Sequence, residues 1–251
     1  MPTVCITGAS SGFGKACAAI FADNGYDLII TARRAQELHD YAQELRDTHA
    51  VQVLPLVFDV RDAAATAAAF EGLQSPFREI AILINNAGLA VGRDSVDAGV
   101  IEDWDRMVDT NVKGLLYVTR AVVPGMVERK KGHIINVSSL AGQEVYPGGN
   151  VYCATKHAVT ALSKGMRMDL VQHGIKVTNI SPGLAETEFS VVRFKGDKDK
   201  ADHVYAGYTP LSAQDVAEVI WFAASRPAHV NLEELTILPT AQSDSRTVVK
   251  A

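Results

Sequence analysis

The sequence is short of the features that mark several classes of protein. It has only 3 cysteines in 251 residues, Cys5, Cys17 and Cys153, with no C-x-x-C spacing. Such a set builds neither a disulfide framework nor a cysteine-based zinc site, and it predicts a reducing, cytoplasmic setting. None of the 7 histidines falls in an H-E-x-x-H spacing, so no metal is assigned. Positive charge is in deficit: Lys plus Arg total 24 against 29 for Asp plus Glu, a net charge of −5. A nucleic-acid binder needs a basic face, so that class is disfavoured. No run of about 18 apolar residues occurs, and no membrane span is expected. The opening MPTVCITGAS lacks the charged region that begins a signal peptide. With 47% apolar and 21% charged residues, the chain has ample apolar surface to drive folding, which excludes global disorder.

What is present is an alternation. Short, nearly unbroken apolar runs occupy residues 3–7, 27–31, 51–58, 80–84, 133–137, 176–180 and 235–238. They lack polar alternation, as strands buried on both faces do. Between them lie stretches long enough for helices, among them 15–24, 36–48, 111–129, 151–173 and 213–225. This rhythm predicts one α/β domain over 1–251, a doubly wound, Rossmann-like parallel sheet of about seven strands with helices on both faces. The segment 186–207 breaks it, mixing Arg193, Lys195, Lys198 and Lys200 with Asp197, Asp199 and Asp202. It follows a strand end, where open α/β sheets bind ligands, and reads as a lid with a short helix. Residues 242–251 read as a polar terminal arm.

The first strand runs into TGASSGFG at residues 7–14, with Gly8, Gly12 and Gly14 in a G-x-x-x-G-x-G spacing. Glycines let the backbone turn tightly and approach a pyrophosphate, and the helix that follows offers its positive end to the phosphates. An NAD site usually carries an acid at the end of the second strand, bonded to the ribose 2′-hydroxyl. Here that strand ends Thr31-Ala32-Arg33-Arg34, with two guanidinium groups and no carboxylate. Arginine grips a 2′-phosphate in a bidentate manner, so NADP(H) is predicted over NAD(H). Further on, Tyr152 and Lys156 stand one helical turn apart on a shared face. A free tyrosine ionises near pH ~10, too high for a base at neutrality. An adjacent ammonium favours the phenolate, so Lys156 is expected to lower the Tyr152 pKa.

These motifs, with Asp59-Val60, NNAG at 85–88, Asn111, NVSS at 136–139, YCATK at 152–156 and SPG at 181–183, resemble the short-chain dehydrogenase/reductase family over nearly the whole chain. The resemblance implies that Tyr152 is the acid/base and that Ser139, rather than Ser138, hydrogen-bonds the reacting oxygen. It implies that Lys156 binds the nicotinamide ribose and that Asn111 holds a water in a proton relay. Cofactor contacts are implied for Gly8, Ser10, Ser11, Gly12, Phe13, Gly14, Arg33, Arg34, Asp59, Val60, Asn85, Asn86, Ala87, Gly88, Tyr152, Lys156, Pro182, Gly183 and Thr187. Taken alone, Asn111 also reads as a helix cap, Ser138 and Ser139 as a turn pair, and Asp59 as a cap for a helix from Asp62.

The stretches TEFSVVRFKGDKDKA, PLSAQDVAEVIWF and ILPTAQS are similar to a subgroup of NADP-dependent 3-hydroxy acid dehydrogenases, which act on L-serine, allo-threonine and other short β-hydroxy acids or reduce short semialdehydes. Such an acid needs a cation in the pocket, and Arg193 and Lys195 are the candidates. Glu144 departs from the subgroup and would repel a carboxylate if it pointed inward. Two alternatives stand beside this reading: a reductase of another carbonyl, such as a 3-oxoacyl thioester, a sugar or a diketone, and a non-catalytic NADP(H) sensor. Apolar residues on more than one face of 111–129 and 151–173 and the family resemblance imply a homotetramer.

Overall fold

The seven apolar runs become seven strands of one sheet in the computed structural model, which describes residues 1–250. β1 (Thr3–Thr7) and β2 (Asp27–Ala32) are buried along their whole length. β4 (Ile80–Asn85), β5 (Gly132–Val137) and β6 (Ile175–Pro182) are nearly so. β3 (Val53–Val57) and β7 (Glu234–Ile237) close the two edges and are less covered. The edge position explains how β3 tolerates Pro55, which has no N–H to give to a ladder. The order is β3-β2-β1-β4-β5-β6-β7, and every pair is parallel. After β3 the chain crosses back to the far side of β1, so the winding reverses between β1 and β4. In such sheets that reversal opens a crevice at the carboxyl ends of the strands.

Helices cover both faces. α1 (Gly12–Asp23), α2 (Ala35–Thr48) and α9 (Ala213–Ala224) pack on one. α2 buries Leu38, Tyr41, Ala42 and Leu45, the i, i+3, i+4, i+7 stripe of an amphipathic helix. α9 opens with a capping box between Ser212 and Asp215. The other face carries α3 (Ala63–Phe70), α5 (Leu115–Arg129) and α6 (Asn150–Leu170). Asp62 caps α3 through the Ala65 N–H, so Asp59 is not its cap.

Three differences from the sequence reading matter. α4 (Ile101–Val108) runs through a π-helical turn, Asp109–Gly114, into α5, so the helix expected from 111 begins earlier. Asn111 therefore sits inside a helical run rather than at a start. The lid segment holds two short helices, α7 (Glu188–Arg193) and α8 (Lys198–Tyr205). Leu115, Val118 and Val122 are buried within this chain's own core, while Leu116 remains exposed.

Three asparagines lie side by side near the carboxyl ends of the central strands: Asn85 pairs in register with Asn136, and Asn136 with Asn179. All three are buried. Asn85 Nδ2 donates to Asn136 Oδ1 and to Thr119 Oγ1, each at 2.9 Å, and Asn136 Nδ2 donates to Ser163 Oγ at 2.9 Å. Among the described residues no helix is long and apolar enough to cross a membrane.

Candidate active site

The crevice above β1 and β4 is a single cavity of about 1270 Å³. Its nucleotide end is made mostly of backbone. Gly8, at φ +69°, turns the chain off β1, and Gly12, at φ +51°, starts α1. A Cβ on Gly14 would overlap the Gly8 carbonyl oxygen, so only glycine lets α1 come this close to the turn. Ser11 occupies the cap position of α1 without a side-chain cap bond, which leaves first-turn N–H groups unclaimed by a side chain. Gly8, Ser10, Ser11, Gly12 and Phe13 face the cavity; Gly14 supports the turn from behind. Thr7 Oγ1 accepts from Asn86 N at 3.0 Å and Ala87 N at 2.9 Å, which locks residues 86–88 against the end of β1.

The two arginines after β2 both line this end. Arg34 bonds Ser10 Oγ through Nε at 3.3 Å and Nη2 at 3.1 Å, and its Nη2 lies 3.2 Å from Glu188 Oε2 on α7. Arg33 approaches Asp59 at 3.8 Å. Burial alone would raise the Asp59 carboxyl, but the Arg61 hydrogen bonds and charge hold it below the usual range. The glycine cradle, the free helix start and the paired guanidinium groups suit a phosphorylated dinucleotide. Val60, Asn86, Ala87, Gly88, Pro182, Gly183 and Thr187 also line the cavity. Asn85 does not, and the expectation of a cofactor contact there is corrected. NNAG begins on the last residue of β4, whose side chain points into the core amides described above.

Four predicted catalytic residues converge at the middle of the crevice. α6 presents Tyr152 and Lys156, both buried. Lys156 Nζ donates to the Val137 carbonyl at 2.8 Å and lies 6.0 Å from the Tyr152 ring centre. Burial pulls the Lys156 pKa down to about 8. Ser139 lines the cavity with Tyr152, its Oγ accepting from Ala141 N at 3.1 Å and donating to the Pro182 carbonyl at 3.4 Å, whereas Ser138 Oγ turns inward to the Lys156 carbonyl and Thr160 Oγ1, both at 3.1 Å. Asn111 lies behind the cavity wall. Its Oδ1 accepts from Leu89 N and its Nδ2 donates to Leu89 O, both at 2.8 Å, and Nδ2 also reaches Thr155 Oγ1 at 3.0 Å. A Cβ on Gly88 would stand 3.3 Å from Asn111 Oδ1 and 3.4 Å from Lys156 Nζ, so both side chains approach that glycine.

The net shift on Tyr152 in this structure runs upward. Burial pushes the Tyr152 hydroxyl above the ordinary tyrosine range, with the charge on Tyr146 adding to the rise. The opposing influences are the Ser139 hydroxyl and the Arg193 charge. The Lys156 ammonium, itself disfavoured by burial, lies 6.0 Å from the ring centre, and desolvation of the phenol prevails.

Arg193, the last residue of α7, marks the substrate end. Its guanidinium lies 5.4 Å from the Tyr146 ring centre and 5.7 Å from that of Tyr152. Its Nε and Nη2 are buried without a hydrogen-bond partner. Lys195, the other candidate cation, pairs with Asp103 at 2.6 Å and does not line the cavity. Glu144 also stays out, accepting from the Ser245 N–H at 2.8 Å. That bond belongs to a feature the sequence reading missed. The terminal arm folds back over the sheet: Gln242 Oε1 accepts from Leu184 N at 2.8 Å, and Ser245, Arg246, Val248 and Lys250 line the cavity. Arg93, Tyr146 and Phe189 line it too. Nothing in the local pattern of residues 242–250 signals this placement, because its partners Leu184 and Glu144 are remote in sequence.

The chain is similar to known proteins along nearly its whole length. The family model for short chain dehydrogenases matches residues 2–198, and the chain belongs to that family. It is 47% identical over 241 residues to the NADP-dependent 3-hydroxy acid dehydrogenase YdfG of Salmonella typhi, covering 96% of each chain. It is 45% identical over 247 residues to sulfoacetaldehyde reductase 2 of Chromohalobacter salexigens, covering 98% of this chain and 97% of the other. The closed form of serine dehydrogenase complexed with NADP+ superposes with a TM-score of 0.92 at 44% identity, covering 99% of both chains.

Proposed function

We propose that the chain is an NADP(H)-dependent oxidoreductase that interconverts a short 3-hydroxy acid and its oxo form. One observation carries the substrate class: a guanidinium with two buried, unpartnered donors, Arg193, stands beside the Tyr152 ring. Donors left open in a buried setting are costly unless a ligand takes them, and a carboxylate matches the guanidinium fork. The similarity to 3-hydroxy acid dehydrogenases and to serine dehydrogenase supports the same reading.

The glycine turn and the start of α1 hold the pyrophosphate, and Arg33 and Arg34 take the 2′-phosphate. Asp59, Val60 and residues 86–88 border the adenine side, with Pro182, Gly183 and Thr187 on the nicotinamide side. When bound, the nicotinamide supplies or accepts the hydride. Arg193 anchors the acid so that the neighbouring carbon-bound oxygen meets Ser139 and Tyr152. In reduction Tyr152, held protonated by burial, gives its proton to that oxygen while Ser139 steadies it. Lys156, whose pKa of about 8 lets it exchange protons near neutrality, re-protonates the phenol, and Asn111 links it to water. Oxidation runs the same path backwards.

The whole chain acts as one cofactor-binding unit, in the cytoplasm, where three free buried thiols are at home. Exposed Ile101, Val108 and Leu116 along α4 and α5 support assembly as a homotetramer, which sedimentation tests. The function is tested by initial rates with NADP+ and NAD+ on 3-hydroxybutyrate, 3-hydroxypropionate, L-serine, allo-threonine and neutral alcohols. Turnover favours NADP+ and the hydroxy acids; turnover confined to neutral alcohols overturns the reading. A second reading, reduction of a short sulfonated aldehyde, is favoured by the same free guanidinium and by the sulfoacetaldehyde reductase similarity. Sulfoacetaldehyde with NADPH belongs in the same screen.

A further inference from the structure

Lys195 does not reach the cavity, yet it is tied to the residue that does. The turn after α7 is built under strain: Lys195 sits at φ +54°, a left-handed conformation that disfavours a residue with a Cβ. The helix closes this turn with its own bonds, Lys195 N–H to the Val192 carbonyl at 3.1 Å and Gly196 N–H to the Val191 carbonyl at 2.9 Å, and two further contacts tie it to the rest of the fold. The Gly92 N–H donates to the Arg193 carbonyl at 3.0 Å. Lys195 Nζ lies 2.6 Å from Asp103 Oδ2, on a side chain only 14% exposed in the first turn of α4. Gly92 is itself at φ +72°, and a Cβ there would stand 3.3 Å from the same carboxylate oxygen. The loop at Gly92, the Asp103 carboxylate and the turn after α7 therefore close on one another. Among the described residues Asp103 has no other ionic partner.

Arg193 is thus tied through its own carbonyl and through the residue two places on, while its Nε and Nη2 stay unpartnered beside Tyr146 and Tyr152. A long side chain without a local partner samples many rotamers, and a fixed backbone narrows that set. We propose that Asp103 and Lys195 are positioning residues for substrate recognition: their ion pair clamps the turn after α7 so that Arg193 presents its open donors to the acid group of the substrate. This rests on the reading of Arg193 as the acid-binding residue.

The test compares 3-hydroxybutyrate with its uncharged amide, 3-hydroxybutyramide, at saturating NADP+. Asp103→Asn and Lys195→Met each raise the KM for the acid roughly tenfold, as small misplacements of a binding group do, with kcat and the amide KM within about twofold of the parent. Lys195→Arg, which keeps the charge, restores the acid KM. Lys195→Gly relieves the left-handed strain without the ammonium, and it behaves like Lys195→Met. A parental acid KM in Lys195→Gly, or equal losses on acid and amide in the other variants, overturns the proposal. Should Asp103→Asn fail to fold, the half-exposed Lys195 variants carry the test. Arg193→Met is the reference. If it leaves the acid-to-amide ratio unchanged, the reading of Arg193 falls and takes the clamp with it. If it shifts the ratio and the clamp variants do not, only the clamp falls.

Discussion

The two ends of the cavity are built on opposite principles. The nucleotide end is a backbone structure from one continuous stretch: a strand, a glycine turn and a helix start, with two arginines added from the next strand. The substrate end is a side-chain structure gathered from separate segments, with Phe189 and Arg193 from α7 and Tyr146 from the loop before α6 around Tyr152. Backbone recognition depends on the absence of side chains, as the overlap of a Gly14 Cβ with the Gly8 carbonyl shows. Side-chain recognition depends on holding long, flexible groups still. The first is tolerant of everything but size; the second is sensitive to anchors that never touch the ligand.

The largest test of this contrast falls where the two ends meet. Tyr152→Phe lowers kcat by about a thousandfold, within the range for loss of a general acid–base. NADPH binding, followed by fluorescence, is unchanged, because the nucleotide end does not need the phenol. A large loss of NADPH affinity in that variant would show that the ends are not separable.

Charge reversal at Arg33 and Arg34 comes next. It weakens NADPH roughly a hundredfold by titration, as expected for lost charge-assisted bonds to a phosphate, and leaves NADH within about threefold. Equal losses would mean that the pair only shapes the cradle. At the other end, Arg193→Met raises the KM for 3-hydroxybutyrate roughly tenfold or more while sparing 3-hydroxybutyramide, as for a lost bond to a charged group.

The smallest effect lies outside both ends. His133 is buried in β5, its Nε2 2.8 Å from Thr178 Oγ1 and its Nδ1 unpartnered. Burial, with the charge of Lys176 adding to it, pulls its pKa from 6.5 down to about 3. Between those values the unfolded chain binds the proton and the folded chain does not. Stability therefore falls as pH drops through that window, by up to about 1.4 kcal/mol per pH unit for one proton. His133→Gln flattens the dependence of denaturant midpoints on pH between 6 and 4 by up to that amount; an unchanged slope would assign the acid sensitivity to other groups.

The same contrast governs what could be read from the sequence. The sheet was legible because buried parallel strands are continuous apolar runs. The nucleotide end was legible because its motif is local. Within NNAG the reading failed at Asn85, since a motif does not say which of its residues ends the strand and faces inward. Lys195 and Arg193 look alike in sequence, two cations on one segment; only the fold shows one turned to Asp103 and the other to Tyr152. The terminal arm was opaque because its docking depends on single hydrogen bonds to remote partners. The upward push on the Tyr152 hydroxyl comes from burial, which sequence does not display.

The row of amides at Asn85, Asn136 and Asn179 has a consequence for assembly. A strand that slipped by one residue would turn its amide to the opposite face, against hydrocarbon, with its bonding partners left behind. Misaligned sheets are thereby penalised during folding, and the chain is steered to one alignment by groups that contribute nothing to the chemistry above them.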